Sequence, residues 1–469
     1  MYRHVRAVGL CVLLVSVAVS AQDWPRFRGA NGSGVSSGTG LPTEFGPEKN
    51  LLWKVAVPFG RSSPVVSGKR VYLTATEGEK LITMALDRSS GKIIWRTELQ
   101  RPRATPIYKA NDGGSPTPVT DGKNVYAFFP DLGLVSFDAD GKERWRLPLG
   151  PFDTFYGMSS SPILSGNTVL LVCDARSKPF IVAADAATGK VRWRMQRSEV
   201  RFEGYTSPIL YEPKGEPAQL VVLGANRIDS FTIATGERVW WVRGLAFYPV
   251  ASPVIEKGML VATTYGTDAP SGPAFDDFLK SDTNSDGKLA REEMKAAGEL
   301  YDHFPGLDTN NDGFMERAEW DAYRNGAAGG KYGLVGVKLG GRGDLTDTAI
   351  VWNERKTYPA MPTPLIYKDV LYIVKTGGII ASLNPVSGET FKVGRSEKAM
   401  GEYSSSPVAA DDKIFFISET GVATVVKAQP QWEVLAVNDL ADECYATPAI
   451  VGNAIYIRTR STLYSFSKK

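Results

Sequence analysis

Short runs of apolar, β-branched and aromatic residues, split by Gly, Asp or Asn turns, recur along most of this chain. Val65-Val66 leads through Gly68 to Val71-Tyr72-Leu73. Val119 leads through Gly122 to Val125-Tyr126-Ala127-Phe128, and Val408 leads to Ile414-Phe415-Phe416-Ile417. This is the pattern of antiparallel hairpins. A small residue and a proline precede each unit: Ser63-Pro64, Thr117-Pro118, Ser161-Pro162, Ser207-Pro208, Ser252-Pro253, Thr363-Pro364, Ser406-Pro407 and Thr447-Pro448. The prolines stand 54, 44, 46, 45, 111, 43 and 41 residues apart, so one step holds an insertion. A third run and an Asp–Gly–Trp tail complete each unit. The clearest tails are Asp87/Gly91/Trp95 and Asp185/Gly189/Trp193, with Asp138/Gly141/Trp145 and Thr235-Gly236/Trp240 as variants. The last repeat ends at Phe466 without such a strand, and Leu51-Leu52-Trp53 can supply it and close a ring.

Eight four-stranded units with this closure predict an all-β, eight-bladed β-propeller. Removing the expected leader leaves 448 residues (469 − 21). That exceeds the roughly 250–300 residues one core usually holds, a limit that a ring of blades avoids. The tryptophans are expected to dock each blade on its neighbour.

Within the long step the period changes to helical spacing: Phe275, Phe278 and Leu279, then Met294, Ala297, Tyr301 and Phe304. Two acidic stretches, 282–293 and 308–319, match the twelve-residue EF-hand calcium loop. Calcium, a hard cation, wants six to eight oxygens. Asp282, Asn284 and Asp286 supply positions 1, 3 and 5 of the first loop, and Asp308, Asn310 and Asp312 those of the second. The carbonyls of Lys288 and Phe314 serve position 7, and Glu293 and Glu319 can bind bidentately at position 12. Gly287 and Gly313 permit the turn. Position 9 is Ala290, where water can substitute, and Glu316. Leu289 and Met315, at position 8, are expected to meet in a short β-bridge, giving one paired unit with two Ca2+ sites. The loops start 26 residues apart (308 − 282), with a break near Pro305-Gly306, so a structural or docking role is expected rather than calcium-driven opening. The resulting division is a signal peptide over 1–21, blades one to five (first part) over 22–266, the EF-hand pair over 267–332 and the remaining blades over 333–469.

Composition narrows the chemistry. Lys+Arg number 54 against 51 Asp+Glu, a net charge of +3 that gives no bulk grip on nucleic acid. Arg3, His4 and Arg6, the apolar stretch Gly9 to Val19 and Val19-Ser20-Ala21 read as a cleaved signal peptide, too short to span a bilayer. The expected product is periplasmic or secreted, without a transmembrane segment, and monomeric. Its two remaining cysteines, Cys173 and Cys444, fall in blades that are not neighbours, so unpaired buried thiols are expected. No CxxCH motif for haem attachment exists. His303, the one remaining histidine, lies inside the insertion, which rules out a Ser-His-Asp triad on the propeller.

The tails built on Ala85-Leu86-Asp87, Gly91-Lys92 and Trp95 resemble the tryptophan-docking repeats of the quinoprotein (PQQ-type) propellers. Trp24-Pro25-Arg26-Phe27-Arg28-Gly29 resembles the N-terminal signature of bacterial exported members. The family holds quinone-dependent alcohol dehydrogenases and the propeller lipoprotein of the outer-membrane barrel-assembly machinery. The resemblance spans nearly all of the mature chain except the insertion. It implies fold more than activity, because the matching residues are structural.

The loops entering each repeat should gather at one mouth of the central channel. There Tyr205, Tyr403 and Tyr445, with Glu203, Glu402, Glu443 and Arg61, form a candidate axial pocket, and Tyr156, Tyr248 and Tyr358 lie slightly further upstream. A PQQ site would need a stacking aromatic, cations for three carboxylates, a calcium ligand set and an Asp/Glu base. The adjacent-cysteine pair of the family's dehydrogenases is absent. Two readings follow. One is a non-catalytic calcium-binding scaffold for a protein or cell-envelope polymer. The other is a PQQ-dependent dehydrogenase oxidising alcohols or sugars.

Overall fold

A computed structural model describes residues 23–468 apart from 106, 108–110, 198–201, 269, 271, 298, 311, 329 and 360; the expected leader 1–21 lies outside them. The described chain forms eight blades in sequence order, each of four antiparallel strands, with a short fifth strand added to blade four. Blade one comprises Val65–Ser67, Arg70–Glu77, Lys80–Asp87 and Ile93–Gln100. Blade eight joins Ala449–Val451, Ala454–Arg458 and Thr462–Ser467 to the N-terminal strand Leu51–Ala56. The two chain ends pair antiparallel, with Leu51 opposite Phe466 and Ala56 opposite Thr462, as the missing last tail predicts.

The two middle strands of each blade carry most of its burial. Val125–Phe129, an inner strand of blade two, is buried throughout, whereas the outermost strand Ile93–Gln100 alternates between exposed and half-buried. Apolar residues of neighbouring blades interlock: Phe128 and Leu134 of blade two with Leu171 and Val182 of blade three, for example. Burying such a side chain is worth about 1.5–3 kcal/mol, and every blade does so on both faces.

The tryptophans supply the polar part of the seam. The indole N–H groups of Trp53, Trp95, Trp145, Trp193 and Trp352 donate to the carbonyls of Arg88, Ala139, Ala186, Ile233 and Pro385 in the following blade, at 2.9–3.2 Å. Trp240 departs from the expected pattern. It is buried, and its N–H donates to Gln219 Oε1 within its own blade at 2.9 Å. Here the blade edge is covered by a short fifth strand, Gly343–Asp344, paired parallel to Trp240 and Trp241.

Blade five contains Val254–Glu256, Met259–Thr264, Gly333–Lys338 and Ile350–Glu354, and the helical insertion leaves between its second and third strands. Within it, Leu289 pairs with Met315 and Ala290 with Phe314 in a two-stranded antiparallel bridge. Phe275, Phe278, Leu289, Met294, Phe304, Leu307, Met315 and Trp320 make a small core of their own. His303 lies on the helix Glu299–Leu307, with its side chain outside what the structure describes. Cys173 and Cys444 are both free and buried, and burial pushes the Cys444 thiol up to about 12. No described helix is long and apolar enough to cross a membrane.

Candidate functional site

The repeat proline sets the geometry of the channel. The residue before each proline turns inward, and its hydroxyl accepts a backbone N–H from the preceding blade. Ser63 N donates to Thr117 Oγ1 at 2.9 Å, Thr117 N to Ser161 Oγ at 3.0 Å, and Ser161 N to Ser207 Oγ at 2.9 Å. Ser207 N then donates to Ser252 Oγ, Ser252 N to Thr363 Oγ1, Thr363 N to Ser406 Oγ and Ser406 N to Thr447 Oγ1, at 2.9–3.0 Å. Thr447 N returns to Ser63 Oγ at 3.0 Å, so the hydrogen bonds form a closed circle.

Above this ring lies a cavity of about 470 Å3, within the range of small-ligand sites. Its wall has two storeys. The lower is the eight ring hydroxyls. The upper is the residue three before each proline: Arg61, Ser115, Ser159, Tyr205, Val250, Met361, Ser404 and Tyr445. Positions one and three before the proline share a face because an extended chain turns alternate side chains to opposite sides. Asn111, Tyr156, Tyr248, Tyr265 and Tyr323 complete the cavity, together with Phe27.

Phe27 belongs to an N-terminal strap that crosses the channel. Trp24 bridges to Val66 in blade one and Val35 to Ala409 in blade seven. Between them, Arg26 donates to the Pro208 carbonyl at 2.7 Å, and Arg28 donates to those of Pro407 and Pro364, each at 2.9 Å. Both guanidiniums are buried, and desolvation lowers each to about 9. Carbonyl oxygens carry their hydrogen bonds.

Three of the seven expected pocket residues line the cavity: Arg61, Tyr205 and Tyr445. The Arg61 guanidinium lies 3.9 Å from the Tyr445 ring centroid and 4.0 Å from Asp112. Tyr403 does not join them. It stands four residues before its proline, on the other face of the chain, buried with its hydroxyl on the Ala399 carbonyl at 2.7 Å, while Ser404 takes the inward position. The glutamates, five residues before their prolines, also turn aside. Glu402 accepts from Thr376 at 2.5 Å, and Glu443 pairs with Arg460 at 3.1 Å. Glu203 is buried behind Tyr205, accepting from that phenol and, at 2.9 Å, from Phe155 N. Burial raises its pKa despite these bonds. Tyr156 and Tyr248 line the cavity and Tyr358 does not. Asn111, Tyr265 and Tyr323 lie outside the repeat pattern and carry no sequence signal.

The acidic loops are held by their own amides. Glu293 accepts from Thr283 N at 2.9 Å and Ala290 N at 2.8 Å, and Glu319 accepts from Thr309 N at 2.7 Å and Glu316 N at 3.0 Å. Asp282 and Asp308 accept from Gly287 N and Gly313 N at 2.9 and 3.0 Å. The carboxylates at positions 1 and 12 of each loop thus bond the loop's own backbone amides. Glu316 pairs with Lys288 of the other loop. Among the described residues no three His, Cys, Asp or Glu side chains are gathered closely enough to hold a metal ion.

The fold and pocket define an eight-bladed propeller with a strapped axial channel. Residues 43–173 match the family described as outer membrane protein assembly factor BamB. The chain is 27% identical over 171 residues to the polyvinylalcohol dehydrogenase of Sphingopyxis sp. (strain 113P3), a match covering 33% of this chain and a quarter of that enzyme's length. BamB from Moraxella catarrhalis shares the fold with a TM-score of 0.57 at 14% identity, covering 89% of this chain and 97% of that one. A europium-containing methanol dehydrogenase shares it with a TM-score of 0.61 at 11% identity, covering 95% and 98%. In fold the chain is thus similar both to BamB and to a methanol dehydrogenase, and fold alone does not decide between their activities.

Proposed function

We propose that this chain is an exported, calcium-binding propeller that serves as a non-catalytic binding scaffold in the cell envelope, for a protein or an envelope polymer. The observation that carries this reading is the chemistry of the cavity wall. Among its described residues there is no carboxylate, and Arg61 is the one cation. That set does not fit PQQ, which needs several cations for its carboxylates, oxygen ligands for a central calcium and a base. The likeness to BamB in residues 43–173 supports an envelope location.

The calcium part rests on the donor chemistry of the two loops. Asp282, Asn284, Asp286, the Lys288 carbonyl and Glu293 would hold one ion. Asp308, Asn310, Asp312, the Phe314 carbonyl and Glu319 would hold the other. Calcium there would cross-link entering and exiting helices around the Leu289–Met315 bridge.

The test is titration of the purified protein with calcium by calorimetry, then incubation with excess PQQ and calcium, gel filtration and an absorption spectrum. Two bound calcium ions and no retained quinone are expected. A stoichiometric quinone band overturns the scaffold reading. Absence of calcium binding, or its persistence in a Glu293→Gln/Glu319→Gln variant, overturns the calcium assignment.

A further inference from the structure

The axial cavity has an unbalanced hydrogen-bonding wall. Each ring hydroxyl oxygen already accepts an N–H from the blade before it. In the bonds among the described residues all eight hydroxyls stand as acceptors and none as a donor, which leaves their hydrogens to turn towards a guest in the cavity they line. A hydroxyl has one donor to spend, and here it is unspent. Above them stand five tyrosines, Tyr156, Tyr205, Tyr248, Tyr265 and Tyr445, with a sixth, Tyr323, contributed by the inserted helix Arg317–Ala327.

This combination selects among ligand chemistries. An anion would want a net positive site, and Arg61, the one cation among the described lining residues, has the Asp112 carboxylate 4.0 Å away to offset its charge, although its Nε makes no hydrogen bond. A cation would want a carboxylate, and the described wall has none. An apolar peptide anchor would want aliphatic walls, and Val250 and Met361 are the aliphatic contributions. Ring-shaped, neutral, hydroxyl-rich molecules suit what remains. Their C–H faces pack on tyrosine rings, and their oxygens accept from the ring hydroxyls. The strap through Phe27 crosses the channel, so the guest enters by an end and does not thread.

We propose that the axial cavity binds the terminal sugar units of a neutral carbohydrate. This deepens the scaffold reading and rests on it, since it supplies the envelope-polymer partner with a site.

The experiment uses the full mature protein with calcium present. Cellobiose, maltose and N,N′-diacetylchitobiose are titrated by calorimetry up to about 10 mM, a range suited to weak single-site binding. Binding to purified peptidoglycan sacculi is measured by co-sedimentation. At least one disaccharide is expected to bind with one-to-one stoichiometry. Tyr156→Ala and Tyr445→Ala should each weaken it about tenfold with unchanged circular dichroism, and Tyr445→Phe should keep most of it, since the ring face makes the contact. Sacculus binding that a disaccharide competes away identifies the polymer as the source, and disaccharide binding alone identifies a free sugar. No heat with any of the three sugars overturns the proposal, and so does binding that both alanine variants leave unchanged. If PQQ is retained, the scaffold reading itself has failed. If neither PQQ nor a sugar binds, only the sugar assignment has.

Discussion

The Thr447 backbone N–H donates to Ser63 Oγ at 3.0 Å, across 384 positions of chain, and completes a circle begun by Ser63 N on Thr117 Oγ1. Ring closure is therefore made twice. On the outside, Leu51–Ala56 pairs with Thr462–Ser467; on the axis, the last hydroxyl-bearing residue bonds the first. The inner circle also explains why a Ser or Thr precedes every repeat proline. Proline has no N–H, so the residue before it supplies both the donor to one neighbour and the acceptor to the other.

That circle predicts a specific cost. Thr117→Val keeps the side chain's shape but leaves the buried Ser63 N–H without an acceptor. A buried orphan donor costs about 1–3 kcal/mol. We expect urea denaturation to show a lower midpoint with an unchanged slope. Thr188→Val, in an exposed turn between outer strands, should shift it much less. Equal midpoints for wild type and Thr117→Val would show that the circle adds nothing to stability.

Gly91 faces the Trp53 indole. Its φ is +71°, and a Cβ there would stand 2.5 Å from Trp53 Cε3. Trp53 belongs to the N-terminal strand, so this contact seals the seam between the last blade and the first. Gly91→Ala combines a left-handed backbone with overpacking against a buried ring, and should cost about 2–4 kcal/mol. Gly215→Ala has a φ of +79° but nothing within 4 Å, and should show the backbone part alone. Thermal melting of the two variants separates the terms, and equal losses would remove the steric one.

The architecture was legible because every blade repeats one small grammar. The proline pairs marked the innermost strand, the Asp–Gly–Trp tails the outer seam, and the missing last tail the closure strand. The pocket was legible only where it follows that grammar. Arg61, Tyr205 and Tyr445 sit three residues before their prolines and face the channel, whereas Tyr403, one position further back, faces a blade core. A single residue of offset flips the face of an extended chain. Asn111, Tyr265 and Tyr323 arrive from outside the repeat, where no spacing announces them. Trp240 shared the motif, but an added strand gave its blade a different edge.

Asp185 gives the acid limb of stability a local origin. It accepts from Arg192 at 2.7 Å and from Thr188 N and Oγ1, each at 2.9 Å. With the Arg192 bond foremost, these hold its carboxyl down at about 2. An unfolded aspartate titrates near ~3.9, so the folded state prefers the ionised form. Its contribution is complete above about pH 4 and is lost as pH falls through 2. The melting-temperature gap between wild type and Asp185→Asn should be constant from neutral pH to about 4 and should shrink below it. A gap that widens on acidification would contradict the assignment.

The inserted helix connects the second acidic loop to the axial cavity. Glu319, at the loop's last ligand position, is followed by buried Trp320, which meets Phe278 edge-on at 4.9 Å. One turn after Glu319, Tyr323 stacks on Trp320 at 5.5 Å, meets Phe247 edge-on at 5.9 Å and lines the cavity. Phe247 lies 4.2 Å from Tyr248, another wall residue. If the loop binds calcium as proposed, drawing Glu319 onto the ion fixes the helix start and, through these rings, the blade-four loop at 244–252. Amide hydrogen exchange should therefore slow on calcium addition both in 308–327 and in 244–252, by a coupling of about 1 kcal/mol in the second segment. Glu319→Gln should lose both effects. Tyr323→Ala should keep calcium binding and the protection of 308–319 but lose that of 244–252. Protection confined to the acidic loop in wild type would mean that calcium stabilises the insertion alone and leaves the cavity wall untouched.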